Sequence, residues 1–236
     1  MGYMVVIEGT DGSGKQTQSK ALYNKLVNLG YKVKLQSLPN YDSLSSAPVK
    51  MYLGGEFGDE KSLNAYQSSV LYTVDRLCTY QKNLKDFYES GGIVIMDRYV
   101  ESNMLHHGGK IRDTEELEKY LKWLSDLEFE TLKLPRADKV IFLDVPVDVS
   151  RRLMKERGIH KTNTARDIHE EDKDHLVRAY NSGKYCGSKY GWDIIPCTDG
   201  ENMKSIEEIS DMISGIVIKD IESKLDMEKH HELESL

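Results

Sequence analysis

A lysine behind three glycines is the first place where this chain can do chemistry. Residues 3 to 17 read Tyr-Met-Val-Val-Ile-Glu-Gly-Thr-Asp-Gly-Ser-Gly-Lys-Gln-Thr. Gly9, Gly12 and Gly14 allow tight bends, and Lys15 follows the last of them. The spacing is that of a phosphate-binding loop, G-x-x-x-x-G-K. Its backbone N–H groups can converge on a polyphosphate. The next helix adds positive potential at its N-terminus, and the lysine adds a full charge. Asp11 and Ser13 lie inside the loop. The pattern calls for Ser or Thr after the lysine to hold Mg2+, but Gln16 stands there and Thr17 comes one residue late. One residue turns a side chain by about 100° around a helix, so Thr17 does not simply substitute. The Gln16 amide oxygen, or a water it holds, is expected to replace the hydroxyl near the ion.

A second cluster is Asp97-Arg98-Tyr99, which ends an apolar run. An acid there can hold Mg2+ directly or through water, and an arginine beside it can grip a phosphate in bidentate fashion. A third candidate set is basic: Arg151, Arg152, Lys155, Arg157, Lys161 and Arg166. Most of these form a solvated helix face. Arg157 and Arg166 flank a loop able to close, and an arginine aimed at a transferring phosphoryl group stabilises its spread charge. Tyr72 and Arg76 are four apart on an expected helix and share one face. An aromatic can stack on a base while the arginine bonds the base edge or a phosphate. Tyr41, Tyr52, Tyr66 and Tyr80 compete for the stacking role.

These groups need strands and helices to carry them. Apolar runs predict strands at Met4 to Ile7, Tyr31 to Leu38, Ile93 to Met96, Lys139 to Val145 and Trp192 to Pro196. Leu22, Leu26 and Leu29 recur at helical spacing before Gly30. Further helices are expected near Val49 to Leu53, within Ser62 to Glu89, over Thr114 to Leu134, over Asp148 to Glu156, from Lys173 to roughly Asn181, and from Ile206 onward. Alternating strands and helices give an α/β fold, a doubly wound five-stranded parallel sheet with helices on both faces. Ligands then bind at the C-terminal ends of the strands, where the phosphate loop and Asp97-Arg98 both fall.

The chain has 236 residues, enough for one such domain, expected over 1–227 with a lid at about 157–172 and a charged tail at 228–236. A net charge of −7 argues against a general nucleic-acid or anionic-membrane binder. No stretch has the length of a transmembrane helix, and the chain enters its first strand at once, which reads as no signal peptide. Cys78, Cys186 and Cys197 are odd in number with no ligand spacing, as for reduced thiols in a cytoplasm.

Taken together, these residues resemble the thymidylate kinase family of nucleoside monophosphate kinases. The resemblance rests on Ile-Glu-Gly-Thr-Asp-Gly-Ser-Gly-Lys (7 to 15) with Gln18, and on Leu-Tyr-Thr-Val-Asp-Arg (71 to 76). It also rests on Asp-Arg-Tyr-x-x-Ser (97 to 102) with Gly108, and on Leu-Pro-Arg-Ala-Asp followed by Val-Ile-Phe-Leu-Asp-Val (134 to 145). It covers roughly residues 3 to 200. It implies a P-loop kinase fold and the reaction ATP + dTMP → ADP + dTDP with Mg2+. It implies ATP binding by Gly9, Asp11, Gly12, Ser13, Gly14, Lys15, Gln16 and Thr17, with Asp97 and Gln16 near the metal. Asp11 is implied at the deoxyribose 3′-hydroxyl, Tyr72 on thymine, Arg76 at the base edge, and Arg98 on the acceptor phosphate, with Ser102 in the same pocket. Thr198-Asp199-Gly200 would border adenine, a lid arginine would act in catalysis, and a cytoplasmic homodimer would form.

The chain departs from the family in two segments. After the second strand the family often has Arg-x-Pro, whereas this chain reads Ser37-Leu38-Pro39 and its first later cation is Lys50. After Ser102 stand Asn103-Met104 and His106-His107, where the family often has Thr-Gln and then an aromatic and a Gln. Lys50 or a histidine is expected to serve in place of the arginine. Two alternative functions follow: a kinase of another deoxynucleotide or deoxynucleoside, and a nucleotide-binding protein without catalysis.

Overall fold

Apolar residues set both the strands and the way they stack. The structure is a computed structural model and describes residues 2–59, 61–156 and 173–234. In chain order it runs β1 (Tyr3–Glu8), α1 (Lys15–Asn28), β2 (Val33–Ser37), α2 (Ala47–Leu53), α3 (Ala65–Thr79), α4 (Lys85–Glu89), β3 (Ile93–Asp97) and α5 (Val100–His106). Then come α6 (Thr114–Ser125), β4 (Lys139–Asp144), α7 (Val147–Glu156), α8 (Lys173–Tyr190), β5 (Asp193–Pro196), β6 (Thr198–Asp199), β7 (Asn202–Met203) and α9 (Ile206–Glu234).

The five long strands are all parallel, in the order β2-β3-β1-β4-β5. Every residue of β1 and β3 is buried. Successive side chains point to opposite faces, so each face receives its own core. Met4, Val6, Val94 and Met96 pack with Tyr120, Leu121 and Leu124 of α6. Val5, Ile7 and Ile95 pack on the other side with Leu22 and Leu26 of α1 and Ile209 and Ile213 of α9. Burial on both faces is what a doubly wound parallel sheet requires.

The register aligns the strand ends that matter. Ile7 and Ser37 both pair with Asp97. The phosphate loop, the end of β2 and the Asp97-Arg98 turn therefore open into one crevice.

Four elements differ from the sequence reading, the first being α5, a helix where none was expected. α8 continues to Tyr190 rather than stopping near Asn181. Two glycines lie in the added length, and a Cβ on Gly183 would stand 2.6 Å from the Phe142 ring, one on Gly187 3.2 Å from Ile194. The glycines let α8 lie close against β4 and β5, and that packing outweighs a helix-propensity cost of about 1 kcal/mol each. The helix after Thr114 gives way to a π-helical segment, Asp126–Thr131, that ends before Leu134. Beyond β5, a two-stranded antiparallel ribbon, β6-β7, had no apolar signal to announce it. α9 itself runs to Glu234. Cys78, Cys186 and Cys197 are all free thiols. Burial pushes the last two up to about 12, which keeps them inert at neutral pH.

Candidate active site

The phosphate loop turns sharply before α1. Gly12 and Gly14 sit at φ 80° and 91°, in the left-handed region that glycine reaches without strain. At Gly12 a Cβ would also come within 2.7 Å of the Ser150 carbonyl oxygen. Lys15 is nearly enclosed, and its ammonium donates to the Gly9 and Thr10 carbonyls at 2.9 and 2.8 Å. Burial, with the Arg98 charge second, draws that ammonium down to about 8. Among the described residues, the buried Thr10 and Ser13 hydroxyls have no hydrogen-bond partner. Unsatisfied donors in a glycine loop suit a ligand rich in acceptors.

Beside the loop opens a cavity of about 450 Å³, a size that suits a nucleotide-scale ligand. Its walls include Asp11 of the loop, Gln16 at the start of α1, Ser37 to Pro39 at and after the end of β2, Leu53 of α2, Tyr72, Asp75 and Arg76 of α3, and Asp97 to Tyr99 with Ser102, Asn103, His106 and His107. Arg98 adopts φ 72°, a state costing about 1–3 kcal/mol for a residue other than glycine. Its guanidinium ion-pairs with Asp11 and reaches His106 Nε2 at 3.2 Å. Burial by itself would raise the Asp11 carboxyl, but the Arg98 and Lys15 charges outweigh it and hold the group well below the usual carboxylate range. Burial opposes the Arg98 charge, and Asp11 more than restores it.

Asp97 is largely buried, accepts a hydrogen bond from Ser37 Oγ at 3.2 Å, and lines the cavity. Gln16 lines the same cavity, while Thr17 is not among its lining residues. A carboxylate and an amide oxygen are hard donors. They fit an ion such as Mg2+, which takes one or two carboxylates and leaves its other positions to water and phosphate.

At the other end of the cavity the groups are aromatic. Tyr72 meets His107 edge to face, with ring centroids 5.0 Å apart, and Tyr52 packs on both. The His107 ring is fixed by Ser69 Oγ at 3.0 Å, which also bonds the Tyr120 hydroxyl at 2.7 Å. Arg76 reaches the wall from within. It ion-pairs with Glu128 and donates to the Tyr99 carbonyl and to Asn103 Oδ1, both at 3.1 Å. Thr73 Oγ1 donates to the same Glu128 oxygen at 2.6 Å.

The structure thus brings Lys15, Asp11, Gln16, Asp97, Arg98, Ser102, Tyr72 and Arg76 to one loop-and-cavity system. Arg157 and Arg166 lie outside the described residues. Lys50 donates to the Tyr41 carbonyl at 2.5 Å and is not among the lining residues, whereas His106 and His107 are.

Sequence reasoning missed several buried acids, Glu8 and Glu128 foremost among them. Glu8 is fully buried and accepts from Gly9 N, Tyr99 N and Ser102 Oγ at 3.2, 3.2 and 2.5 Å. It ties the phosphate loop to the Asp97-Arg98 turn. Burial raises its carboxyl, against the pull of Arg98 and Lys15. A charge ending an otherwise apolar strand was the available signal. Glu128 sits in the π-helical segment after α6, where no periodicity points inward.

Comparison with known proteins gives a consistent picture. Residues 7–187 match the family model described as thymidylate kinase. A probable thymidylate kinase of Thermococcus gammatolerans is 35% identical over 162 residues, spanning 67% of this chain and 73% of that protein. One from Pyrococcus horikoshii is 32% identical over 157 residues, 66% of this chain and 72% of its own. The thymidylate kinase of Mycobacterium tuberculosis is 28% identical over 172 residues, 72% of this chain and 79% of its own.

Proposed function

The chain belongs to the thymidylate kinase family, and from that premise we propose how its loop and cavity carry out the family's reaction. The chain is a nucleoside monophosphate kinase that moves the terminal phosphoryl group of ATP to dTMP, giving dTDP and ADP. The observation that carries the site assignment is the Asp11–Arg98 pair. One partner comes from the phosphate loop and the other from the turn after β3, so the cavity opens onto the loop itself. Donor and acceptor phosphates then meet where the two join.

In this reading Lys15 and the loop amides hold the ATP phosphates. Arg98 holds the acceptor phosphate, and its tight ion pair with Asp11 pre-sets its direction. Asp11 also faces the sugar 3′-hydroxyl. Tyr72, backed edge-on by His107, stacks on the pyrimidine, and Arg76 with Asn103 faces the base edge. Glu128 pairs with Arg76 within the wall. Asp97 and Gln16 would hold Mg2+, which when bound neutralises charge on the donor phosphates. Arg157 and Arg166 are assigned to the transferring phosphoryl group. Phosphoryl transfer asks for positioning and charge more than for a strong base, and the site is built of such groups.

The reading also includes one kinase domain over 1–227, a homodimer packed through helices, and a cytoplasmic location. Val70 and Val74 are each 43% exposed on α3, which suits a helix with a partner. No helix among the described residues is long and apolar enough to cross a membrane.

The direct test mixes the protein with ATP, Mg2+ and a panel of acceptors, and follows ADP. The panel holds dTMP, dUMP, the other nucleoside monophosphates and thymidine. The expected result is fastest turnover with dTMP. No turnover with any nucleoside monophosphate would refute it, and thymidine outpacing dTMP would move the chain to the nucleoside kinases.

A further inference from the structure

Arg98 is held from two sides. One terminal nitrogen pairs with Asp11, and the other lies 3.2 Å from His106 Nε2. A guanidinium has donors and no acceptor. His106 Nε2 must therefore present its lone pair, which puts the single ring proton on Nδ1. Free histidine prefers the opposite tautomer, so something has to select this one.

The selecting group is on a distant helix. His106 Nδ1 lies 3.2 Å from His175 Nε2, in the first turn of α8. The two rings are within 14° of parallel, with centroids 5.4 Å apart. A nitrogen–nitrogen approach of 3.2 Å at that separation sets the rings edge to edge, as an in-plane hydrogen bond needs. The His106 Nδ1–H donates, and His175 Nε2 accepts. His175 is only 1% exposed, so water does not compete freely for that lone pair.

We infer that His106 is a positioning residue for Arg98, a neutral acceptor whose Nδ1–H tautomer is set by His175 of α8. The chain of contacts runs in one direction, Arg98 to His106 to His175, and each link has one donor and one acceptor. It fixes the guanidinium at both ends, while its remaining N–H groups can meet the acceptor phosphate. The inference deepens the proposed function, because it rests on the reading that Arg98 serves that phosphate.

His175 is not itself among the residues lining the cavity and meets it through His106, so it separates positioning from direct contact. In His175→Leu the acceptor is gone. The KM for dTMP should rise about tenfold, the lower end for a lost hydrogen bond in a charged chain, while the KM for ATP stays within twofold. His175→Gln, whose Oε1 can accept in place of Nε2, should restore most of the dTMP KM. The unchanged ATP KM also shows that His175→Leu is folded. Equal dTMP KM values for wild type and His175→Leu would overturn the positioning role.

The second measurement needs no turnover. Long-range 15N–1H correlation spectra of the imidazoles report the tautomer. His106 should carry its proton on Nδ1 in the wild type and in His175→Gln, and lose that preference in His175→Leu. A proton on Nε2, or a doubly protonated His106 at neutral pH, overturns the inference. A protein that turns over no dTMP yet shows the Nδ1–H tautomer would refute the proposed function and leave this hydrogen-bond chain standing.

Discussion

Replacing Glu101 by glutamine should change how stability depends on pH. Glu101 lies in the first turn of α5 and is 5% exposed. Its Oε2 has no hydrogen-bond partner among the described residues. Burial pushes its carboxyl from an ordinary 4.5 to about 7; Glu8 and Glu128 add to the rise, while its own backbone N–H and Arg76 oppose it. At about 1.4 kcal/mol for each pKa step, ionising the group in the folded chain costs about 3 kcal/mol more than in the unfolded chain. The sign follows from proton counts. Below pH 4.5 both states are protonated, and nothing is lost. Between 4.5 and about 7 the folded state binds the extra proton, so stability falls as pH rises. Above that the loss is complete. The amide in Glu101→Gln does not titrate, so the variant lacks this slope. Denaturant unfolding of both proteins at pH 5, 6, 7 and 8 gives the comparison. The variant should gain about 2.5 kcal/mol relative to wild type from pH 5 to pH 8, whatever their difference at pH 5. A difference that stays constant from pH 5 to 8 would refute the argument that Glu101 is buried and charged without compensation.

Three further outcomes follow from the same geometry. Glu128→Ala leaves the buried Arg76 charge without its carboxylate. Unfolding should show a loss of about 3–5 kcal/mol, as for other broken buried pairs, and a loss under 1 kcal/mol would contradict it. Lys15 sits near 8 in the free protein, and ATP phosphates raise it, so ATP binding at pH 8.5 should take up protons. Calorimetry in two buffers of different ionisation enthalpy measures that uptake; it should vanish in Lys15→Ala, which should also lack turnover. Gly183→Val places side-chain atoms where a Cβ is already 2.6 Å from the Phe142 ring. Thermal or denaturant unfolding should show a loss of about 1–3 kcal/mol from overpacking, and an unchanged midpoint would refute the close approach of α8.

The sequence by itself carried the features that depend on near neighbours. The phosphate loop is a run of glycines and a lysine within seven residues, Gly9 to Lys15, and its geometry is local. The strands are short apolar runs, and their alternation with helices leads to the doubly wound sheet and its ligand edge. Asp97-Arg98 was legible because it follows such a run. At α8 the local pattern fell short: Gly183 and Gly187 weaken a helix read alone, but permit one that must lie against a sheet.

Tertiary structure decided how the charges are paired. Asp11 and Arg98 are 87 residues apart, and Arg76 and Glu128 are 52 apart. Nothing in a window of ten residues couples them. The strand order β2-β3-β1-β4-β5 puts Asp97 level with Ile7 and Ser37, and so delivers Arg98 to the phosphate loop. A π-helical turn aims Glu128 inward, and α8 carries His175 across 69 residues to His106. Local periodicity records which face of an element is buried. Which buried charge meets which depends on how the elements stack, because ion pairs and hydrogen bonds act over a few ångströms of space rather than along the chain.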